Sequence, residues 1–234
     1  MTLPEAFTVL FEDNHLLVVN KSAGILVQGD QTGDTPLVEL GKEYLKGKFN
    51  KPGAVFLGVI HRLDRPVSGV VVMARTSKAL SRMNRLFSER ETVKTYMAIV
   101  AERPPASEGK LVHWLRKDEA KNRTTTFSRD TPGAMRAELS YELLGQTGKC
   151  WLLKVNPVTG RPHQIRVQLA GMGCPIVGDI KYGGEPVSDY RGIYLHARQL
   201  AFVHPVSKEM ASFTAPFPPH GRWKGVRNLL KASG

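Results

Sequence analysis

The 234-residue sequence predicts an α+β domain on a mixed, mostly antiparallel sheet with flanking helices. Short apolar runs of strand length outnumber helical patterns, and the helices are inserted singly between them. Regular strand-helix alternation, the mark of a doubly wound fold, is absent. Pairs of runs joined by tight polar turns favour antiparallel neighbours.

Phe7–Phe11 and Leu16–Asn20 read as strands separated by the turn-forming Asp13-Asn14. Lys21-Ser22-Ala23-Gly24 turns the chain into Ile25-Leu26-Val27, and Asp34-Thr35-Pro36 offers a helix start with a capping side chain ahead of Pro. Leu37, Leu40, Tyr44 and Leu45 then share a face, and Val55–Ile60 carries the chain as a strand into a charged loop. Beyond that loop, Val70–Ala74 is apolar throughout, as a strand buried on both faces requires. Ser77 caps a helix in which Leu80, Met83 and Phe87 recur at spacings of three and four.

Lys94–Ala101 alternates as a strand, placing Tyr96, Ala98 and Val100 on one face. Leu111–Arg116 and Arg123–Phe127 form strands around the basic tip Lys117–Asn122, either a solvated tip or a phosphate contact. The alternation of Ala137, Leu139, Tyr141 and Leu143 and the run Trp151–Val155 give two more strands. Thr159-Gly160-Arg161-Pro162 begins a short helix ending near Gly171, Ile193–Val203 and Met210–Thr214 are the last strands, and Trp223, Val226, Leu229 and Leu230 define a final docking helix.

The charged loop, His61-Arg62-Leu63-Asp64-Arg65-Pro66-Val67-Ser68-Gly69, is the stretch on which the chain is organised. Pro66 and Ser68-Gly69 force a turn, and a carboxylate among guanidinium groups is favoured in its ionised form. Asp64 therefore suits a nucleophile or a base, with a turn-capping Asp paired to an Arg as the plain structural reading.

The excess of 33 Lys plus Arg over 21 Asp plus Glu, a net charge of +12, points to a polyanionic partner, most simply nucleic acid. The charge lies in short groups, which favours a folded basic surface over a disordered arm. No long apolar span or signal-peptide pattern supports a membrane location, so a cytoplasmic protein is expected. Cys150 and Cys174 have no metal-ligand spacing, and no phosphate-binding glycine loop follows a strand, so neither metal nor cofactor is expected.

His-Arg-Leu-Asp-Arg-x-x-Ser-Gly before an apolar strand resembles the signature of the RluA-type family of RNA pseudouridine synthases. Similar blocks follow in family order: Asp13–Lys21, Lys94–Ala98, Thr159–Val167, Gly178-Asp179 with Tyr182-Gly183, and Leu195–Ala197. The resemblance implies the pseudouridine synthase fold, a long curved sheet in two halves with a central cleft, and a cofactor-free isomerisation of uridine in ribosomal or transfer RNA stem-loops. It implies Asp64 as catalytic nucleophile, Arg166 as the arginine that pairs with it, and Tyr96 as the active-site tyrosine. Leu195 matches an apolar position near the target base, and Arg62 one that fills the space left by the flipped nucleotide or holds a phosphate. His61, Arg65 and Lys21 are further candidate RNA contacts, although a solvated turn lysine explains Lys21 equally.

Pattern alone leaves Tyr96 and Leu195 as strand core and Arg166 as an exposed helix arginine. Ser22, Pro66, Val67, Pro162 and Gln168 depart from the usual family residues without touching Asp64 or Arg166. The expected organisation is one catalytic domain over residues 1–234, monomeric, with no separate N-terminal RNA-binding domain. The rival readings are a non-catalytic RNA-binding protein on the same fold and a glycosyl hydrolase. The latter would need a second carboxylate as acid beside Asp64.

Overall fold

The apolar run after the Asp64 loop becomes an inner strand, completely buried, of the first of two units into which the computed structural model divides; the structure describes residues 3–232. That unit comprises Met1–Lys94 and Ala197–Pro216, and the second comprises Thr95–His196 and Phe217–Gly234. In chain order the elements are α1 (Leu3–Ala6), β1 (Phe7–Glu12), β2 (Leu16–Lys21), α2 (Leu37–Lys48), β3 (Gly58–Val59), β4 (Ser68–Ala74), α3 (Ser77–Ser88) and β5 (Val93–Val100). There follow β6 (Glu108–Asp118), β7 (Arg123–Phe127), β8 (Met135–Thr147), β9 (Cys150–Pro157), α4 (Gln164–Gly171), a 3-10 turn at Ile180–Tyr182, β10 (Leu195–Val203), β11 (Met210–Thr214) and α5 (Trp223–Ala232).

In the first unit the strand order is β1-β2-β4-β10, with β11 on β10 and β3 on β4. The β2–β4 register sets Leu16 opposite Ala74, Val18 opposite Val72 and Asn20 opposite Val70. One face of this sheet, with Leu16, Val18, Val70, Val72, Leu200 and Phe202, packs against Ala79 and Met83 of α3. The cap lies one residue before the expected Ser77: Thr76 Oγ1 accepts the Ala79 N–H at 3.1 Å.

Two local expectations change for identifiable reasons. The start of α2 has no side-chain cap, because the N–H groups of Leu37 and Val38 donate to the carbonyls of Leu26 and Val27 at 2.7 and 3.2 Å. The expected strand Val55–Ile60 contracts to Gly58–Val59, opposite Ala74 and Met73. The Val72 N–H is taken by the His61 ring and Gly69 lies against Ala197 of β10, so only the end of β4 is left for β3.

The second unit has the order β5-β9-β8-β6-β7, with Tyr96 opposite Val155 and each neighbouring pair antiparallel. Strand β8 runs well past the expected Leu143, because a register shift between Leu143 and Gly145 absorbs an extra residue at a glycine with φ +150°. Leu115, Ala137, Val167 and Tyr182 form a buried cluster that seats α4. Trp223 and Val226 of α5 are fully buried, with Trp223 stacked on Phe217 at 5.3 Å.

Candidate active site

The Asp64 loop is tied down on several sides within the first unit. The Asp64 carbonyl accepts the Val67 N–H at 3.0 Å, which closes the turn required by Pro66. The next carbonyl, that of Arg65, accepts the Gly24 N–H at 2.8 Å and the Lys21 amine at 3.3 Å. Lys21 Nζ also donates to the carbonyls of Ile25 and Ser22, at 2.8 and 3.0 Å.

Lys21 is fully buried, and three backbone carbonyls occupy its amine. Burial pushes its pKa down to about 7; the negative charge of Asp64 opposes that fall and the Arg65 guanidinium adds to it. The Arg65 side chain turns toward its own unit as well, with Nε on the Gly24 carbonyl at 3.1 Å and Nη2 on Asp34 at 2.6 Å.

His61 is also an anchor. Its Nε2 accepts the Val72 N–H at 3.1 Å, and its ring stacks on Phe87 at 4.8 Å with the planes 19° apart. Burial, reinforced by the Lys94 charge, pushes its pKa down to about 3, so at neutral pH it is an uncharged acceptor. Arg62 is exposed and Asp64 is half-buried.

The loop ends at Gly69, whose φ of +119° is open to glycine. A Cβ there would overlap the Ala197 carbonyl oxygen and lie 2.6 Å from the Ala197 nitrogen. The close approach of β4 to β10 thus depends on a missing side chain.

In the second unit, Tyr96 is half-buried while Ala98 and Val100, on the same face of β5, are fully buried. The Ile99 N–H donates to the Tyr194 carbonyl at 2.9 Å, which lays the start of β10 beside β5. Leu195 is only 3% exposed there, in keeping with the strand-core reading of its pattern.

Arg166 departs from the exposed-helix reading altogether: it is 5% exposed. Its Nε and Nη2 donate to the two carboxylate oxygens of Asp179 at 2.7 and 2.8 Å, a two-pronged pair with Asp179 itself 1% exposed. Its guanidinium lies 5.1 Å from the centre of the Tyr182 ring, and that of Arg123 lies 5.3 Å from the same ring. The Tyr182 hydroxyl accepts the Thr124 N–H at 2.8 Å and hydrogen-bonds His163 Nδ1 at 2.6 Å.

Sequence reasoning assigned no role to Asp179, Tyr182 or His163. The signals were the block Gly178-Asp179 with Tyr182-Gly183 and, for His163, the block Thr159–Val167, and no periodicity joins Asp179 and Tyr182 to a helix that ends at Gly171.

A family model described as RNA pseudouridylate synthase matches residues 15–171, a stretch that contains Asp64, Tyr96 and Arg166. The chain belongs to this family. Among the pseudouridine synthases it resembles, ribosomal large subunit pseudouridine synthase C of Vibrio cholerae is 32% identical over 91% of this chain and 66% of the relative. An uncharacterized RNA pseudouridine synthase of Bacillus subtilis, YhcT, is 32% identical over 90% of this chain and 68% of its own length. Human RNA pseudouridylate synthase domain containing 4 superposes with a TM-score of 0.77 at 25% identity, covering 95% of this chain and 92% of that one. The chain spans about two thirds of the length of the curated pseudouridine synthases it matches. The pseudouridine synthase fold expected from the sequence is thereby established, with its α+β, mostly antiparallel character.

Proposed function

We propose that this chain isomerises uridine to pseudouridine in RNA, with Asp64 as the nucleophile. The observation that carries the reading is the Asp64 turn, held by buried Lys21, by His61 and by the Gly69 contact, inside the segment matched by the family model. A carboxylate placed with that much backbone support is a reagent in position rather than a flexible surface charge.

The reaction breaks the bond between uracil N1 and ribose C1′, turns the base and joins C5 to C1′. The C5 hydrogen is lost as a proton and N1 gains one, so the atoms balance without a redox partner or an activated donor. Access to C1′ needs a flipped uridine. Asp64 attacks, and Arg166, itself held by Asp179, is the arginine that would orient it. Tyr96 stacks on the base, Leu195 backs it, and exposed Arg62 holds a phosphate or fills the space left by the flipped nucleotide.

Ribosomal RNA of the large subunit is the substrate class we favour, since relatives from Vibrio cholerae and Zymomonas mobilis are named for it. Transfer RNA stem-loops are the comparison substrate. The net charge of +12 suits either, and a cytoplasmic monomer is the working state. No helix among the described residues is long and apolar enough to cross a membrane.

The test is release of tritium from C5-labelled uracil in large-subunit ribosomal RNA and transfer RNA transcripts, for the wild type and Asp64→Asn. Release by the wild type alone, with RNA affinity of the variant within about twofold, is expected. RNA binding without release from either transcript would favour the binding-protein reading, and release by Asp64→Asn removes Asp64 from its role.

A further inference from the structure

The helix that carries Arg166 begins with an irregular backbone. His163, just ahead of α4, has φ 54° and ψ 18°, a left-handed conformation that a histidine holds only when its surroundings fix it. Two sets of contacts fix it. The Gln164 side chain accepts from Thr159 Oγ1 at 2.7 Å and the Arg161 N–H at 3.0 Å, and donates to the Glu138 carbonyl at 3.0 Å, which pins the first helical residue to β8. The His163 ring is bound through Nδ1 to the Tyr182 hydroxyl.

Tyr182 and Asp179 come from one tight segment whose own backbone is over-determined. The Gly184 N–H donates to the Asp179 carbonyl at 2.8 Å, and a Cβ on Gly184 would overlap the Ile176 carbonyl and lie 2.8 Å from the Asp179 nitrogen. This segment presents a carboxylate to one edge of the Arg166 guanidinium and sets the Tyr182 ring beneath it, with the guanidinium carbon 5.1 Å from the ring centre. The carboxylate and the ring together leave a planar cation little freedom to move. A stability role alone would be met by the ion pair, without the ring beneath it or the two bonds that hold the tyrosine hydroxyl.

We infer that Asp179 and Tyr182 are positioning residues that set the direction of the Arg166 guanidinium for the reaction. The inference rests on the assignment of Arg166 to the active site made above. Asp179 fixes two of the guanidinium nitrogens, Tyr182 fixes its plane, and His163 with Thr124 fixes Tyr182. Neither positioning residue needs to touch RNA.

The experiment combines kinetics on the tritiated transcript with the ¹⁵Nε–H resonance of Arg166 in the full chain. Arg166→Ala comes first: unchanged turnover would remove the active-site assignment on which the inference rests, while leaving the resonance test of the geometry intact. Given loss of turnover there, Asp179→Asn is expected to lower kcat by about tenfold or more with KM within about twofold, because transition-state alignment and not RNA binding is lost. Its Arg166 Nε–H signal should move to the position of a solvent-exposed arginine. Tyr182→Phe keeps the ring and every direct contact with Arg166, so it should fold, and kcat should fall about three- to tenfold with KM unchanged.

Guanidinium added to Arg166→Ala should restore part of kcat, and should fail to do so in Arg166→Ala/Asp179→Asn, where the carboxylate that would hold it is gone. Wild-type kcat and an unmoved Arg166 resonance in both Asp179→Asn and Tyr182→Phe overturn the inference, as does equal guanidinium rescue with and without Asp179. If Asp179→Asn does not fold, the resonance and kcat of Tyr182→Phe decide.

Discussion

Lys21 Nζ lies 3.3 Å from the carbonyl oxygen of Arg65, the residue that follows Asp64, so a fully buried amine at the end of β2 props up the loop that carries the proposed nucleophile. Lys21→Met keeps the apolar stem and removes the donor to three carbonyls. It should cost about 2–4 kcal/mol of stability, read from urea unfolding.

The same amine makes that difference depend on pH. With a folded pKa of about 7 against 10.5 when exposed, the unfolded chain binds more protons between these values, so this group makes stability rise with pH across that window. The penalty of a buried ammonium is fully present below pH 7. The melting temperature of the wild type should therefore gain on that of Lys21→Met as pH is raised from about 7 to about 9. A constant difference would show that the amine does not titrate there.

His61 offers the opposite test of charge. Because it stays neutral near pH 7, His61→Ala should leave the salt dependence of RNA binding unchanged while Arg62→Ala reduces its slope by about one. The variant should lose about 1–3 kcal/mol, since the Val72 N–H is left without the ring nitrogen and Phe87 loses its stacked neighbour. Its folded pKa of about 3 lies below the ordinary 6.5, so the stability it supplies is present above pH 6.5 and drains away as pH falls toward 3. The gap between wild type and variant in thermal melts should narrow over that interval.

Gly69→Ala should be severe, about 3 kcal/mol or more, because the added methyl meets the Ala197 backbone and φ is positive as well. Gly24→Ala is the control: φ is +91° but nothing lies within 4 Å of the methyl it would add, so about 1 kcal/mol is expected. Equal melting temperatures for the two variants would show that the β4–β10 approach yields readily.

Features set by local chemistry were legible before the structure. The buried run Val70–Ala74, the helix face of Leu80, Met83 and Phe87, and the turn imposed by Pro66 all follow from residue type and spacing. Polar residues were illegible where backbone groups distant in sequence satisfy them. Nothing near Lys21 announces that its amine meets the Arg65 carbonyl, 44 residues on, and nothing near His61 shows that Val72 needs an acceptor. Arg166 was picked out by resemblance, but its partner Asp179, 13 residues later, depends on how the chain folds back after α4.

The core of the first unit contains Leu200, Phe202 and Ala215 beside Leu16, Val18 and Val72, while the second unit closes over Trp223. On the ribosome, the segment ending at Lys94 therefore waits about 5–20 s for its missing strands to be synthesised. Throughout that interval β4, apolar on both faces, lacks its neighbour β10. Nascent chains stalled before residue 197 should be clients for chaperones and proteases, whereas chains released beyond Trp223 should escape both.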